Sequence, residues 1–129
     1  MTYVYLSAED VLGIAGFAVE GRRVLVRDVG LVTAAAHRPT ATPLGQEAYT
    51  GLFDKAAAFL QSLVIDRPFI DGNKRTAWTS CVVFLALNDV QLRPDIDTAE
   101  RLVVAVASGT VDEVKAISEV LRELAEQPV

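Results

Sequence analysis

Residues 67–76 read Arg67-Pro68-Phe69-Ile70-Asp71-Gly72-Asn73-Lys74-Arg75-Thr76, which sets an acid, a glycine, an amide and two cations side by side. An apolar helical pattern follows at once. Such a segment can hold a metal-bound phosphate, because a helix start offers unpaired N–H groups and the positive end of its dipole. Gly72 permits close backbone approach, while Lys74 and Arg75 add charge and fork-shaped donors. Asp71 supplies the hard oxygen that Mg²⁺ prefers, with phosphate oxygens and water completing the shell. The residue types fit a plainer reading as well: a helix start capped by Asp71 or Asn73, followed by two solvated cations.

Helices must position this segment, since apolar residues recur at three- and four-residue spacing almost throughout the chain. Ser7 reads as the N-cap of a first helix, with Val11, Ile14, Ala15 and Ala18 on one face and Gly21 at its end. Val24-Leu25-Val26 has strand composition, but Arg22, Arg23, Arg27 and Asp28 leave it no alternating partner. Asp28 is expected to cap a short helix through Ala36, and residues 38–45 carry loop chemistry. A helix over residues 46–65, with Tyr49, Leu52, Phe53, Ala56, Leu60 and Leu63 inward, is stopped by Pro68. The segment then feeds a helix from Asn73 to about Asn88, with Trp78, Val82, Leu85 and Ala86 in the core. Two amphipathic helices close the chain, near 98–107 and 111–126, the second with capping-box spacing from Thr110. The expectation is one all-α domain over residues 1–129, with five to six helices.

Composition narrows the function. The 129 residues are 51% apolar and 22% charged, enough to bury a core and too apolar for disorder. A net charge of −5 disfavours general nucleic-acid binding, while the cluster Arg67, Lys74 and Arg75 suits a compact anion such as a nucleotide. The lone Cys81, among apolar neighbours, reads as a buried hydrophobe and fits a reducing cytoplasm. No signal sequence is evident, and no apolar run approaches the ~20 residues that span a bilayer, so a cytoplasmic protein without membrane association is expected.

The segment resembles the signature of the Fic/Doc superfamily, written HPFxDGN and followed by GR in Fic proteins and by KRT in Doc proteins. Lys74-Arg75-Thr76 is similar to the Doc (death-on-curing) branch, the toxins of toxin–antitoxin pairs. The likeness extends to Val29-Gly30-Leu31 through Ala36-His37-Arg38-Pro39, to Ala57-Ala58-Phe59-Leu60 and to Phe84-Leu85-Ala86-Leu87-Asn88. It implies a helical bundle with the motif loop between two central helices, and places residues 38–45 over the mouth of the site. It also implies ATP and Mg²⁺ as cofactors, with Asp71 on the metal and Gly72, Asn73, Lys74 and Arg75 around the phosphates. The implied activity is phosphoryl transfer to a threonine of elongation factor Tu, restrained by an antitoxin whose disordered C-terminal tail folds on the toxin. Nucleotidyl (adenylyl) transfer of the Fic type is the alternative within enzymes. Trp78, where many Fic proteins have a second arginine, speaks for the Doc branch. The Ser/Thr-x-x-x-Glu inhibitory motif is lacking, since Gly16 stands where the hydroxyl belongs ahead of Glu20.

One departure outweighs these matches. The resemblance assigns the catalytic general base to a histidine at position 67, where this chain has Arg67. A base must lose its own proton near neutral pH, and a guanidinium does not. His37, the only histidine, falls at a variant position and reads as a surface helix end. Arg38 either stabilises its loop or meets the target. Two explanations of Arg67 compete: a toxin carrying an inactivating substitution, or a natural non-catalytic module that binds an antitoxin. The persistence of Asp71, Asn73 and Arg75 favours the first.

Overall fold

A computed structural model describes residues 2–126, so residue 1 and residues 127–129 of the expected domain lie outside the described residues. Six α-helices follow one another: α1 (Ala8–Ala18), α2 (Val29–His37), α3 (Leu52–Asp66), α4 (Asn73–Leu87), α5 (Ile96–Ser108) and α6 (Val114–Ala125). Two single 3₁₀ turns, Arg38–Thr40 and Pro43–Gly45, lie between α2 and α3.

Helix α3 is the axis of the bundle and packs most extensively against α4 and α6. Ten of its fifteen residues are buried, so it must be covered on nearly every side. The small residues Ala56, Ala57 and Ala58 let neighbouring elements approach closely, while Phe59, Leu60 and Leu63 fill the core between them. Phe84 of α4 meets Phe59 edge-on at 6.1 Å and stacks on Tyr5 at 5.8 Å, which fixes how α4 is rotated. Leu102, Val106, Ile117, Leu121 and Leu124 close the far side.

Most expected elements are present. Ser7 caps α1 with a reciprocal bond to Asp10, and Asp28 caps α2 through the Gly30 and Leu31 N–H groups. Six details differ. Helix α3 starts at Leu52 rather than near Gln46, because Glu47 and Tyr49 are drawn aside by Lys55 and Arg38. The Ala48 N–H bonds the Ala41 carbonyl at 2.9 Å, so this stretch closes a loop instead of coiling. Tyr49 is therefore a half-buried loop residue. The core face of α4 comprises Ala77, Cys81, Phe84 and Leu85; Trp78 and Val82 are half-buried and Ala86 is exposed. Helix α5 starts two residues early, with Asp95 as its cap. No capping box opens α6, since Glu113 is the N-cap without a side-chain bond. The Thr110 hydroxyl is instead engaged with Ser108 at 2.9 Å.

The fifth difference bears on the site. Residues 24–26 form no named strand, yet they do find an extended partner: Val26 bridges Phe69 in antiparallel fashion. That partner is the motif loop itself, which sequence alternation could not reveal. Residues 38–45, expected over the mouth, are tied along α3 and none of them borders the motif cavity.

Candidate functional site

The motif loop links the end of α3 to the start of α4 and is clamped from three directions. Arg67 is the C-cap of α3 in the left-handed region (φ 47°, ψ 62°), and Pro68 prevents the helix from continuing. Arg27 reaches across and donates through Nε to the Arg67 carbonyl at 2.7 Å and through Nη2 to the Asp66 carbonyl. The N–H groups of Arg27 and Asp28 share the Pro68 carbonyl at 2.7 and 3.1 Å, and Ile70 N–H donates to Leu25. A cation at the α3 C-terminus thus satisfies carbonyls that the helix leaves unpaired.

Phe69, 2% exposed, anchors the loop in the core. Asn73 spans back to it: its side-chain oxygen accepts from the Phe69 N–H at 2.9 Å, and its amide nitrogen donates to the Phe69 carbonyl at 2.8 Å. The primary work of Asn73 is therefore to hold the loop's shape, from a position on the cavity wall. Gly72 is the N-cap of α4 at φ 81°, and a Cβ there would sit 3.2 Å from Val19 Cγ1. The close approach that Gly72 permits is thus to the end of α1.

Helix α4 starts with no side-chain cap. Asn73 is committed to Phe69, and Asp71 bonds the adjacent Gly72 N–H at 2.8 Å and Arg22 Nη2 at 3.2 Å. The plain reading, in which Asp71 or Asn73 caps the helix, does not hold. The first turn of α4 borders a cavity of about 510 Å³, lined by Arg22, Arg67, Asp71, Lys74 and Arg75, and a helix start leaves its first N–H groups without intrahelical partners. Arg75 donates to the Ala18 carbonyl at 3.0 Å and pairs with Glu20 at 3.3 Å. None of the four ion pairs among the described residues includes Lys74 or Arg67. Four cations and the exposed carboxylate of Asp71 thus surround one open space at a positive helix end, an arrangement made for an anion.

A family description, Fic/DOC family, matches residues 5–85. The chain belongs to the Fic/Doc family. It is 50% identical over 110 residues to Toxin Doc of Mycolicibacterium smegmatis, covering 84% of each chain. It is 30% identical over 122 residues to Protein kinase doc of Escherichia phage P1, covering 93% of this chain and 94% of that one. These likenesses support the Doc branch.

In this Fic/Doc chain every expected motif residue, Arg67, Asp71, Gly72, Asn73, Lys74 and Arg75, borders the same cavity. Arg22, Arg27 and Glu20 were missed as site residues. The trace of Arg22 and Arg27 in the sequence is the charged stretch after Gly21, which reads as a break in strand pattern, while Glu20 stands out only beside the lacking inhibitory motif; of the three, only Arg22 borders the cavity. His37 is exposed at the end of α2 and does not border the cavity. Arg38 binds Tyr49 Oη, the Ala58 carbonyl and Ser62 Oγ at 3.0–3.2 Å, which makes it a loop fastener. Cys81 is fully buried, and burial pushes its thiol up to about 12. No described helix is long and apolar enough to cross a membrane.

Proposed function

We propose that this chain is a Doc-type toxin of a toxin–antitoxin system, acting in the cytoplasm. Its reaction is ATP- and Mg²⁺-dependent transfer of a phosphate to a threonine hydroxyl of elongation factor Tu, which blocks translation. The observation that carries this reading is the uncapped start of α4, opening beside Asp71, Lys74 and Arg75 onto the 510 Å³ cavity. The relatives named Toxin Doc and Protein kinase doc support it.

The residues fit a nucleotide-borne magnesium ion. No group of three or more His, Cys, Asp or Glu among the described residues makes a protein-only metal cage. Mg²⁺ commonly takes one or two carboxylates and completes its shell with phosphate oxygens and water, for which exposed Asp71 is suited. When bound, the ion neutralises phosphate charge that would otherwise repel the attacking hydroxyl. Lys74, Arg75 and the α4 N–H groups hold and orient the phosphates, and such transfer depends chiefly on positioning and charge. The target oxygen forms a bond to the γ-phosphorus, the bond from that phosphorus to the bridging oxygen breaks, and ADP departs.

The hydroxyl proton must leave to a base, and residue 67 stands at the cavity edge where the motif histidine belongs. A guanidinium offers no acceptor for that proton, so this chain is a disabled form that keeps the other motif residues at the cavity. Restoring the base by Arg67→His raises transfer by about 10²–10⁴-fold and causes growth arrest when the protein is expressed alone. Label from γ-³²P-ATP appearing on elongation factor Tu is the expected result; label from α-³²P-ATP identifies adenylyl transfer. Harmless expression of soluble Arg67→His protein, with neither label transferred, overturns the toxin reading and leaves a binding module.

The partner proposed for restraint is an antitoxin with a disordered C-terminal tail that gains helix on binding. Titration with that tail should give saturable binding and added helical circular dichroism; binding without helix gain rejects the folded-tail mechanism.

A further inference from the structure

Arg22 faces the cavity from outside the motif, and its place is set twice by one carbonyl. Its backbone N–H donates to Val19 O at 3.1 Å and its side-chain Nε donates to the same oxygen at 3.0 Å. Glu20 and Gly21 both take positive φ, 55° and 79°, so the chain leaves α1 in a tight turn. That turn brings Glu20 within 3.3 Å of Arg75 and Arg22 within 3.2 Å of Asp71. One acid and one base are thus set against the motif's base and acid. With Nε anchored, the terminal nitrogens of Arg22 remain for Asp71 and for any anion sharing the cavity.

The side chains of Arg22 and Asp71 are 68% and 65% exposed, so solvent and salt screen the pair and a competing ion opens it. The other Asp71 oxygen stays on the Gly72 N–H at 2.8 Å, which keeps the carboxylate in place while its partner changes.

We infer that Arg22 is a phosphate-contacting residue that shares Asp71 with a divalent cation. It neutralises the carboxylate in the metal-free protein and turns to the phosphate oxygens of a nucleoside triphosphate once the cation occupies Asp71. The inference rests on the nucleotide-site reading above. A bare Asp71 repels an incoming polyphosphate, so the guanidinium matters most when metal is scarce. With metal bound, the cation supplies that neutralisation and Arg22 adds only one exposed contact.

Isothermal titration of ATP into the unchanged 129-residue protein and into Arg22→Ala, first in EDTA and then in saturating Mg²⁺, tests this. The substitution should weaken metal-free binding about tenfold, the scale of a lost charged hydrogen bond. It should weaken magnesium-loaded binding by no more than about threefold, the scale of an exposed pair. The benefit conferred by Mg²⁺ therefore rises at least about threefold. Equal weakening in both conditions marks a merely structural turn and overturns the inference, as does unchanged affinity. Circular dichroism checks folding, and Arg22→Gln, which keeps the stem without the charge, gives the same reading if Arg22→Ala is unstable. If the unchanged protein binds no ATP in either condition, the nucleotide site itself is rejected and this inference falls with it. Normal binding with an unmoved magnesium benefit rejects Arg22's part alone.

Discussion

Two sets of cations, one along α3 and one beyond its last turn, differ in how fully their charge is spent. On one side Lys55, 1% exposed, donates to the Pro39 carbonyl at 3.0 Å, lies 3.4 Å from Glu47 and sits over the Tyr5 ring. Arg38 beside it has three partners. On the other side Lys74 and Arg67 are exposed and enter no ion pair among the described residues, while Arg75 and Arg22 make exposed, screened ones. A buried cation must be fully partnered, and so fixes a loop; an exposed one has no such need and keeps its charge open to solvent or an anion. Residue type does not separate the two sets; the sum of their partners does.

The sharpest way to break this comparison is to exchange the expected phenotypes. Lys55→Ala should cost about 3 kcal/mol of stability, through a cavity in the core and an unsatisfied Pro39 carbonyl. Chemical denaturation measures it, and ATP affinity of the folded fraction should be unchanged. A loss of ATP affinity with unaltered stability would assign Lys55 to the wrong set. Lys74→Ala should do the reverse, weakening ATP binding about tenfold while leaving the denaturation midpoint within error. Because Lys74 is exposed and makes no ion pair among the described residues, any large destabilisation would show that its charge is spent inside the protein.

The sequence made one side of this contrast far more legible than the other. Local signals sufficed wherever a residue acts on its neighbours: Ser7 and Asp28 as caps, Pro68 as a stop. The motif residues also came out on one cavity, because they are contiguous and straddle one helix start. Partners distant in the chain left no such trace. Arg22 meets Asp71 across 49 positions, and Arg27 meets Arg67 across 40. Periodicity has no access to such pairings, and the same blindness hid the Val26–Phe69 bridge. The start of α3 was misplaced for a related reason. Apolar spacing from Tyr49 onward fits a helix, but Arg38 captures the Tyr49 hydroxyl and holds that stretch outside it.

A third substitution probes the seam between α1 and the motif. Gly72→Ala meets Val19 Cγ1 at 3.2 Å and must also adopt φ 81°, a left-handed conformation that costs an alanine about 1–2 kcal/mol. A matching fall in stability is expected, with a further loss of ATP affinity as the start of α4 shifts. Unaltered stability would show that the loop is not pinned to α1 and that the cavity wall is softer than its hydrogen bonds imply.

The smallest effect expected lies in the caps that hold the helices far from the site. Hydrogen bonding from the Thr98 backbone, and then from its hydroxyl, holds Asp95 below the usual value of 3.8. The bond from the Ser7 backbone does the same for Asp10. A carboxyl with a lowered folded pKa takes up a proton more readily when the chain is unfolded. Its stabilisation is therefore complete above 3.8 and is lost as pH falls through the folded value. Thermal melts from pH 7 down to pH 2 should show Tm dropping below about pH 4, with the double variant Asp10→Asn, Asp95→Asn showing a shallower drop. Because Asp10 is exposed and Asp95 is half-buried, salt should blunt the difference, more at Asp10 than at Asp95. An acid transition of equal steepness in the variant would transfer the acid sensitivity to other carboxylates. Asp54 is the first candidate: burial works to raise its pKa, but the bond from Lys115 and the nearby charges of Lys115 and Arg122 help leave the value lowered.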